Sequence, residues 1–316
     1  MISSAISSLP YLKNPVKIEA LEGGFTNAIY RIDTKHASFI HRTPKEKGAE
    51  AKFQKVLELT KKAAAFSLGP KVFGESVPHQ EMLLEYIESA PWPTYEIDPQ
   101  PFEKTMEYLQ AYHKRVKEPK TNSFAPFNWI IDESDRLVDM PDEFYAAVLK
   151  IKAMQERLRP WLEEHATLCH GDFHKGNVLL KKQRKCFRPY LIDFDSNAIG
   201  HPYIDVVKFS VALPQNARMK LFSCYLGKRK PTKEEVQHFE FLDLALLMVI
   251  TIVRFRSAQK ADPILKRLSK EEMEKMLRSK EKLPSFLSIN FKDTSPEARQ
   301  KGALYALAEF MQRFTH

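Results

Sequence analysis

Two polar clusters, each joined to a short apolar run, constrain the fold of this chain most strongly. Residues 167–180 read Thr-Leu-Cys-His-Gly-Asp-Phe-His-Lys-Gly-Asn-Val-Leu-Leu, and residues 190–195 read Tyr-Leu-Ile-Asp-Phe-Asp. Charged and amide side chains beside short apolar runs are typical of strands that flank a polar loop. Because helical spacing surrounds both clusters, the sequence predicts such a loop inside a mainly helical region.

The first part of the chain has the pattern of a small sheet. Residues 28–32 alternate as an extended segment does, residues 38–41 predict a second short strand, and residues 82–87 form an apolar run typical of a buried strand. Residues 53–60 follow helical spacing, and Gly-Pro at 69–70 is the expected stop after that helix.

A break at Ala-Pro-Trp-Pro, residues 90–93, marks the predicted boundary between two domains. Beyond it, apolar residues recur at steps of three and four, which indicates helices. A chain of 316 residues is long enough for two domains. We therefore predict an α+β fold, with a small N-terminal antiparallel sheet lobe over residues 1–90 and a larger, mainly helical C-terminal lobe over residues 91–316.

Composition indicates where the protein works. Its three cysteines form no paired framework and no Cys-x-x-Cys motif, which predicts a reducing, cytoplasmic location. Residues 1–10 lack the basic start and apolar run of a signal peptide. The longest apolar run, residues 244–253, falls short of the about 20 residues that span a bilayer, so we expect a buried helix there and no membrane span.

The net charge of +9 is concentrated late in the chain, in residues 228–230 and 266–282. Acidic residues are interleaved in the second stretch, which is typical of a solvated helix face. Without aromatic interleaving or zinc-finger spacing, we expect no nucleic-acid partner. A basic protein does suit an anionic co-substrate such as ATP. The oligomeric state stays open.

Three side chains of the two clusters have the chemistry that phosphoryl transfer needs. Magnesium bridges the phosphates of the donor and prefers carboxylate and amide oxygens, and an acceptor hydroxyl needs a carboxylate to receive its proton. Asp172 and Asn177 lie five residues apart across a loop, and Asp193 ends the run that begins at Tyr190. If the flanking strands pair, all three side chains share one site.

The same residues resemble a known family. The runs 170–177 and 192–195 resemble the catalytic and metal loops of the aminoglycoside phosphotransferase and choline kinase family, which is related to the protein kinases. Residues 22–27 resemble the nucleotide loop of that family, residues 39–42 its third strand, and residues 84–87 the hinge that reads adenine. The resemblance implies a protein-kinase-like two-lobe fold that uses ATP and Mg²⁺.

The resemblance also implies roles for single residues. Asp172 would be the catalytic base, Asn177 and Asp193 the metal ligands, and Asp205 a buried structural acid. The nucleotide would be bound by residues of the first lobe. These are Gly23, Gly24, Thr26 and Asn27 at the phosphates, and Glu85, Tyr86 and Ile87 at the adenine.

The phosphate-anchoring residue of the third strand is Arg42, where protein kinases have lysine. A guanidinium grips phosphate or carboxylate with two hydrogen bonds, so the role is retained. Its acidic partner is expected in the helix that follows. Glu50 is the first choice and Glu58 the rival, because the register is not fixed by the sequence.

Other readings of these residues remain open. His170 and His174 have the spacing of a zinc pair on a helix, but Gly171 and Gly176 disfavour a helix there, so a structural hydrogen bond from His170 is preferred. Asp and Asn are also common in ordinary loops. Trp92 would either line an acceptor pocket or pack, and so would the aromatic residue at position 95.

The sequence thus predicts an ATP- and Mg²⁺-dependent phosphotransferase. Its acceptor would be a hydroxyl of a small molecule such as choline, an aminoglycoside, thiamine or a sugar. Only eleven residues separate Asp193 from Asp205, which leaves no room for the activation segment of a protein kinase. The alternatives are a catalytically silent nucleotide-binding scaffold of the same fold and an atypical protein kinase.

Overall fold

The computed structural model describes residues 4–12, 15–21, 26–117, 127–184, 186–262, 264, 266–279, 283–284 and 293–314. The chain divides into two compact units. The first comprises Met1–Lys117, His170–Asn197 and Met219–Arg229, and the second Glu118–Cys169, Ala198–Arg218 and Lys230–His316. The predicted lobe boundary near residue 90 lies within the first unit and stays a prediction.

The strands are β1 (Lys17–Leu21), β2 (Asn27–Asp33), β3 (Ser38–Pro44), β4 (Val72–Ser76), β5 (Glu81–Glu85), β6 (Thr167–Cys169), β7 (Val178–Gln183), β8 (Cys186–Leu191) and β9 (Ala198–Gly200). The α-helices are α1 (Ser4–Ser7), α2 (Glu50–Ala65), α3 (Gln100–Arg115), α4 (Phe127–Ser134), α5 (Asp142–Glu164), α6 (Tyr203–Ser210), α7 (Gln215–Tyr225), α8 (Lys233–Gln259), α9 (Lys270–Arg278) and α10 (Pro296–Phe314). Short 3-10 helices span Pro10–Leu12, Lys175–Asn177 and Phe194–Ser196.

The first unit contains the predicted antiparallel sheet, in the strand order β1-β2-β3-β5-β4. Alternation along β2 and β3 places Ile32 and Phe39 opposite each other and on one face. There they form an apolar core with Leu83 of β5 and with Ile6 and Leu12 from the N-terminal segment. The N-terminal residues therefore cover one face of the sheet.

The helix that follows β3 confirms the predicted helical spacing but not the predicted stop. Phe53, Val56 and Leu57 form part of the buried stripe of α2. The helix ends at Ala65, and the residue with left-handed backbone after it is Ser67 rather than Gly69. The glycine is instead packed closely, with its missing Cβ position 3.0 Å from the Leu191 carbonyl oxygen.

The second unit is mainly helical, and α8 packs against α4, α5, α6 and α10. A capping box formed by Thr232 and Glu235 begins this helix, and the predicted apolar run lies inside it. Among the described residues, α8 is the helix long and apolar enough to cross a membrane, but 67% of its apolar stretch is buried inside the protein. Asp243, in the same helix, is 1% exposed and pairs with Arg218 and Arg313. These features are typical of a core helix.

Candidate active site

The predicted polar loop and the β7–β8 hairpin that follows it lie in the first unit, which contains the antiparallel sheet. The loop runs from His170 to the short 3-10 helix Lys175–Asn177, and the hairpin β7–β8 leads from that helix back to Asp193. The Ile192 amide donates to the Asn177 carbonyl oxygen at 3.1 Å. His170 is fully buried, and its Nε2 bonds the Ile192 carbonyl oxygen at 2.8 Å. These bonds hold the two ends of the hairpin together, and they confirm the structural role of His170.

Gly171 allows the two loops to approach each other closely. Its φ is +81°, in the left-handed region that disfavours side chains. A Cβ on Gly171 would overlap the carbonyl oxygen of Ser196, which lies just beyond Asp193. The loop that carries Asp172 therefore rests directly on the loop that carries Asp193.

Asn177, one of the two predicted metal ligands, bonds to the predicted base. Its Nδ2 donates to the Asp172 carbonyl oxygen at 2.8 Å and to Asp172 Oδ2 at 3.3 Å. Asn177 is 8% exposed, whereas the Asp172 side chain is 48% exposed. Asn177 thus holds the Asp172 carboxylate, which is open to solvent. The bonds to Asp172 use Nδ2 of Asn177, and the other amide atom, Oδ1, is the kind of oxygen that binds magnesium.

His174 is a second neighbour of Asp172 for which sequence reasoning assigned no role. Its Nδ1 accepts a hydrogen bond from the Gly176 amide at 3.0 Å, so Nε2 carries the ring hydrogen in the neutral form. Nε2 lies 3.4 Å from Asp172 Oδ2. The imidazole therefore presents a donor to the carboxylate that would act as base.

Arg42 connects β3 to the end of the hairpin. Its Nη2 lies 2.6 Å from Asp195 Oδ1 and 3.3 Å from Asp193 Oδ1. Among the described residues, no hydrogen bond or ion pair joins Arg42 to Glu50 or Glu58, and Glu58 instead accepts a bond from Gln54 on the surface of α2. The structure thus pairs Arg42 with two aspartates and with neither of the predicted glutamates.

The two aspartates differ in their electrostatics. Burial raises the pKa of Asp193, and the charges of Asp195 and Asp172 raise it further against the opposing effect of Arg42. Burial also acts to raise the pKa of Asp195, but Arg42 and the hydrogen bond from Asn27 outweigh it and lower that pKa overall. The pKa of Asp193 is therefore raised and that of Asp195 lowered, although both carboxylates face Arg42.

The end of the nucleotide loop also reaches this site. Asn27 is 6% exposed, and its Nδ2 donates to Asp195 Oδ2 at 2.9 Å and to Thr26 Oγ1 at 3.0 Å. Asn27 is therefore bonded to Asp195, and Thr26 is bonded to Asn27. The approach of Thr26 and Asn27 to the phosphates stays a prediction. The predicted phosphate-binding residues Gly23 and Gly24 lie outside the described residues.

The predicted hinge, residues 84–87, begins in the last two residues of β5. The Glu85 amide donates to the Lys71 carbonyl oxygen at 2.8 Å and the Tyr86 amide to the Ser38 carbonyl oxygen at 3.4 Å, and Ile87 is 4% exposed. In any further backbone hydrogen bond between Glu85 and a base, the Glu85 carbonyl oxygen would therefore be the acceptor. The nucleotide-binding role of these residues stays a prediction.

The aromatic residues after the hinge pack together. Trp92 Nε1 donates to the Val178 carbonyl oxygen at 3.2 Å, and the rings of Trp92 and Tyr95 lie 5.0 and 5.3 Å from the ring of Phe102. Of the two sequence-based alternatives, the structure shows packing.

Sequence reasoning gave Asp195 no role, although it binds both Arg42 and Asn27. A signal was available, because Asp195 lies two residues after Asp193 in a short polar segment where neighbouring carboxylates point to one site. What the sequence did not reveal is that two residues from the first sheet meet it.

Comparisons with known proteins bear on the family and on the fold. The profile of the phosphotransferase enzyme family, APH, matches residues 17–237. No curated protein matches this chain in sequence. The fold is similar to that of a choline/ethanolamine kinase family protein from Mesorhizobium loti, with a TM-score of 0.66 and 17% identity over 97% of each chain. It is also similar to choline kinase LicA from Streptococcus pneumoniae, with a TM-score of 0.64 and 18% identity over 96% of each chain.

A third solved structure, the ADP-bound aminoglycoside phosphotransferase APH(2'')-Ib, has a TM-score of 0.61 and 14% identity, and the match covers 83% of this chain and 93% of that one. At these identities the likenesses show the fold, and they confirm the predicted protein-kinase-like fold. The family match spans more than half of the chain. The protein therefore belongs to the phosphotransferase enzyme family.

Proposed function

We propose that this protein transfers the γ-phosphoryl group of ATP to a hydroxyl group of a small molecule, with Mg²⁺. The observation that carries the proposal is the bonding of Asn177 to Asp172 and, through the Ile192 amide, to the segment that ends in Asp193. Three residues of the kinds that phosphoryl transfer needs, Asp172, Asn177 and Asp193, are thus linked.

The donor set suits a divalent cation. Asp172, Asp193 and Asp195 are three carboxylates on neighbouring segments, and the charges of Asp195 and Asp172 add to the effect of burial in raising the pKa of Asp193. Asp193 and Asn177 would hold Mg²⁺ through carboxylate and amide oxygens. When bound, the ion neutralises phosphate charge.

The residues of the chain would divide the remaining tasks. Asp172, exposed and held by Asn177, would accept the proton of the acceptor hydroxyl. Arg42 would grip a phosphate, and Thr26 and Asn27 would approach the same groups. Glu85, Tyr86 and Ile87 would bind the adenine.

The acceptor would be a small alcohol. The similar structures include proteins named as choline kinase, ethanolamine kinase and aminoglycoside phosphotransferase. Choline, aminoglycosides, thiamine and sugars are therefore the acceptors to test first. We also propose a cytoplasmic location, which the free thiols of Cys169, Cys186 and Cys224 support.

The test is a screen of alcohols, amino alcohols, sugars, thiamine and aminoglycosides with ATP and Mg²⁺, followed by ADP release. We expect one class of acceptor to stimulate release and Asp172→Ala to abolish it. Asp132→Ala, which removes an exposed carboxylate from α4, is the matched control and should retain full activity. Full activity of a folded Asp172→Ala variant would reject Asp172 as the base. Tight ATP binding with no turnover across the panel would point to a silent scaffold.

A further inference from the structure

We propose that Asp195 is a positioning residue for the proposed phosphoryl transfer. Its two carboxylate oxygens hold two different residues of the first sheet, Arg42 and Asn27, against the segment that carries Asp193. The inference rests on the proposed function, because it concerns how this site receives the triphosphate.

The geometry makes Asp195 the main partner of Arg42. Arg42 Nη2 lies 2.6 Å from Asp195 Oδ1 but 3.3 Å from Asp193 Oδ1. A strong hydrogen bond between a guanidinium and a carboxylate spans about 2.7–2.9 Å, so the contact with Asp193 is the looser one. Asp195 is also the less exposed of the two, at 27% against 40%. Arg42 is thus anchored by Asp195, while Asp193 remains available for the metal.

The second oxygen of Asp195 holds the start of β2. Asp195 Oδ2 accepts from Asn27 Nδ2 at 2.9 Å, and the same Nδ2 also donates to Thr26 Oγ1. The carboxylate therefore fixes Asn27 directly and Thr26 through Asn27, and both are predicted to approach the phosphates. We call Asp195 with its two partners, Arg42 and Asn27, the Asp195 clamp. The two partners lie on neighbouring strands, since β2 pairs with β3 along their whole length.

This clamp takes the place of the ion pair that protein kinases form between a strand lysine and a helix glutamate. The helix in the corresponding position, α2, supplies no acid to Arg42 among the described residues. It contributes positive charge instead, because Lys52 of α2 acts electrostatically on Asp195. In this chain the carboxylate that positions Arg42 belongs to Asp195, two residues after the predicted metal ligand Asp193.

The test compares Asp195→Asn with wild-type enzyme on an acceptor found in the screen. Asparagine keeps the volume but loses the charge and turns a donor towards Arg42 or Asn27. We expect the KM for ATP to rise about 10- to 100-fold, the range for losing a charged hydrogen bond, with a smaller fall in kcat. The exposed carboxylate variant Asp132→Asn should leave both constants unchanged.

A double-mutant cycle separates positioning from plain stabilisation. If Asp195 acts in part through Arg42, Asp195→Asn should lower kcat/KM for ATP less once Arg42→Ala is present, because only the bond to Asn27 is then left to lose. Additive losses, or an unchanged KM for ATP with only a lower urea midpoint, would overturn the proposal. Where Asp195→Asn does not fold, Asp195→Glu keeps the charge and should still raise the KM, and an unchanged KM there would also overturn it.

Failure of the proposed function gives a different result. In that case wild-type enzyme transfers phosphate to no acceptor. An active wild type together with an Asp195→Asn variant of unchanged KM rejects the role of Asp195 alone.

Discussion

Replacing Gly171 by alanine tests how closely the loop before Asp172 is packed on the loop after Asp193. The φ of Gly171 is +81°, and an added Cβ would overlap the Ser196 carbonyl oxygen. A left-handed backbone costs a residue with a side chain about 1–2 kcal/mol. Overpacking against a rigid backbone adds about 1–3 kcal/mol. We therefore expect Gly171→Ala to lower the free energy of unfolding by roughly 2–5 kcal/mol, a large part of the about 5–15 kcal/mol of a typical protein.

Gly227 offers a matched control. Its φ is +83°, but its missing Cβ position has open space, with Gln110 Nε2 4.0 Å away as the nearest atom. Gly227→Ala should therefore lose only the backbone contribution, about 1–2 kcal/mol. Urea unfolding of both variants, followed by circular dichroism, isolates the overlap as the difference. Equal losses in the two variants would refute the close packing of the loops. Gly171→Ala should also lower kcat, since it displaces Asp172.

Three further predictions concern stability, each measured by urea unfolding. Burial lowers the pKa of His41 despite the nearby Glu81, so the unfolded chain binds more protons than the folded chain. The free energy of unfolding should therefore fall as the pH drops below about 6.5. His41→Leu should flatten this fall between pH 5 and 7.5, and an unchanged slope would contradict the assignment. Thr232→Ala removes the cap of α8 and should lower the free energy of unfolding by about 1 kcal/mol, whereas no loss would deny the cap a role. Asp243→Asn removes the buried negative charge that pairs with Arg218 and Arg313, and it should lower the free energy of unfolding by about 3–5 kcal/mol. A loss under 1 kcal/mol would show that solvent stabilises the two arginines in its place.

Sequence reasoning succeeded where the information is local. The alternation along residues 28–32 and 38–41 is a property of the strands themselves, and the structure confirms β2 and β3, with β3 extending to Pro44. The polar loop was also recognisable, because Gly171 excludes a helix between His170 and His174. Local sequence patterns were therefore sufficient to predict these strands of the sheet and the loop that holds Asp172.

The partner of Arg42 could not be predicted in this way. The sequence directed the search to the helix after β3, where Glu50 and Glu58 are the candidates. Asp195 is 153 residues away in the chain, and its approach depends on how the β7–β8 hairpin lies against the sheet. The spacing of residues in the sequence carries no information about how close Asp195 comes to Arg42 in the folded chain. The covering of the sheet by Ile6 and Leu12 escaped prediction for the same reason.

The most direct test of the central claim follows the γ-phosphorus of ATP. Enzyme, Mg²⁺ and [γ-³²P]ATP are incubated with the acceptor that stimulates ADP release, and small molecules are then separated from polypeptide. We predict that the label moves to the small molecule, and that Asp172→Asn lowers the rate about 10²- to 10⁴-fold, the range for losing a general base. Label found on polypeptide alone, or transfer by folded Asp172→Asn at the wild-type rate, would contradict the account.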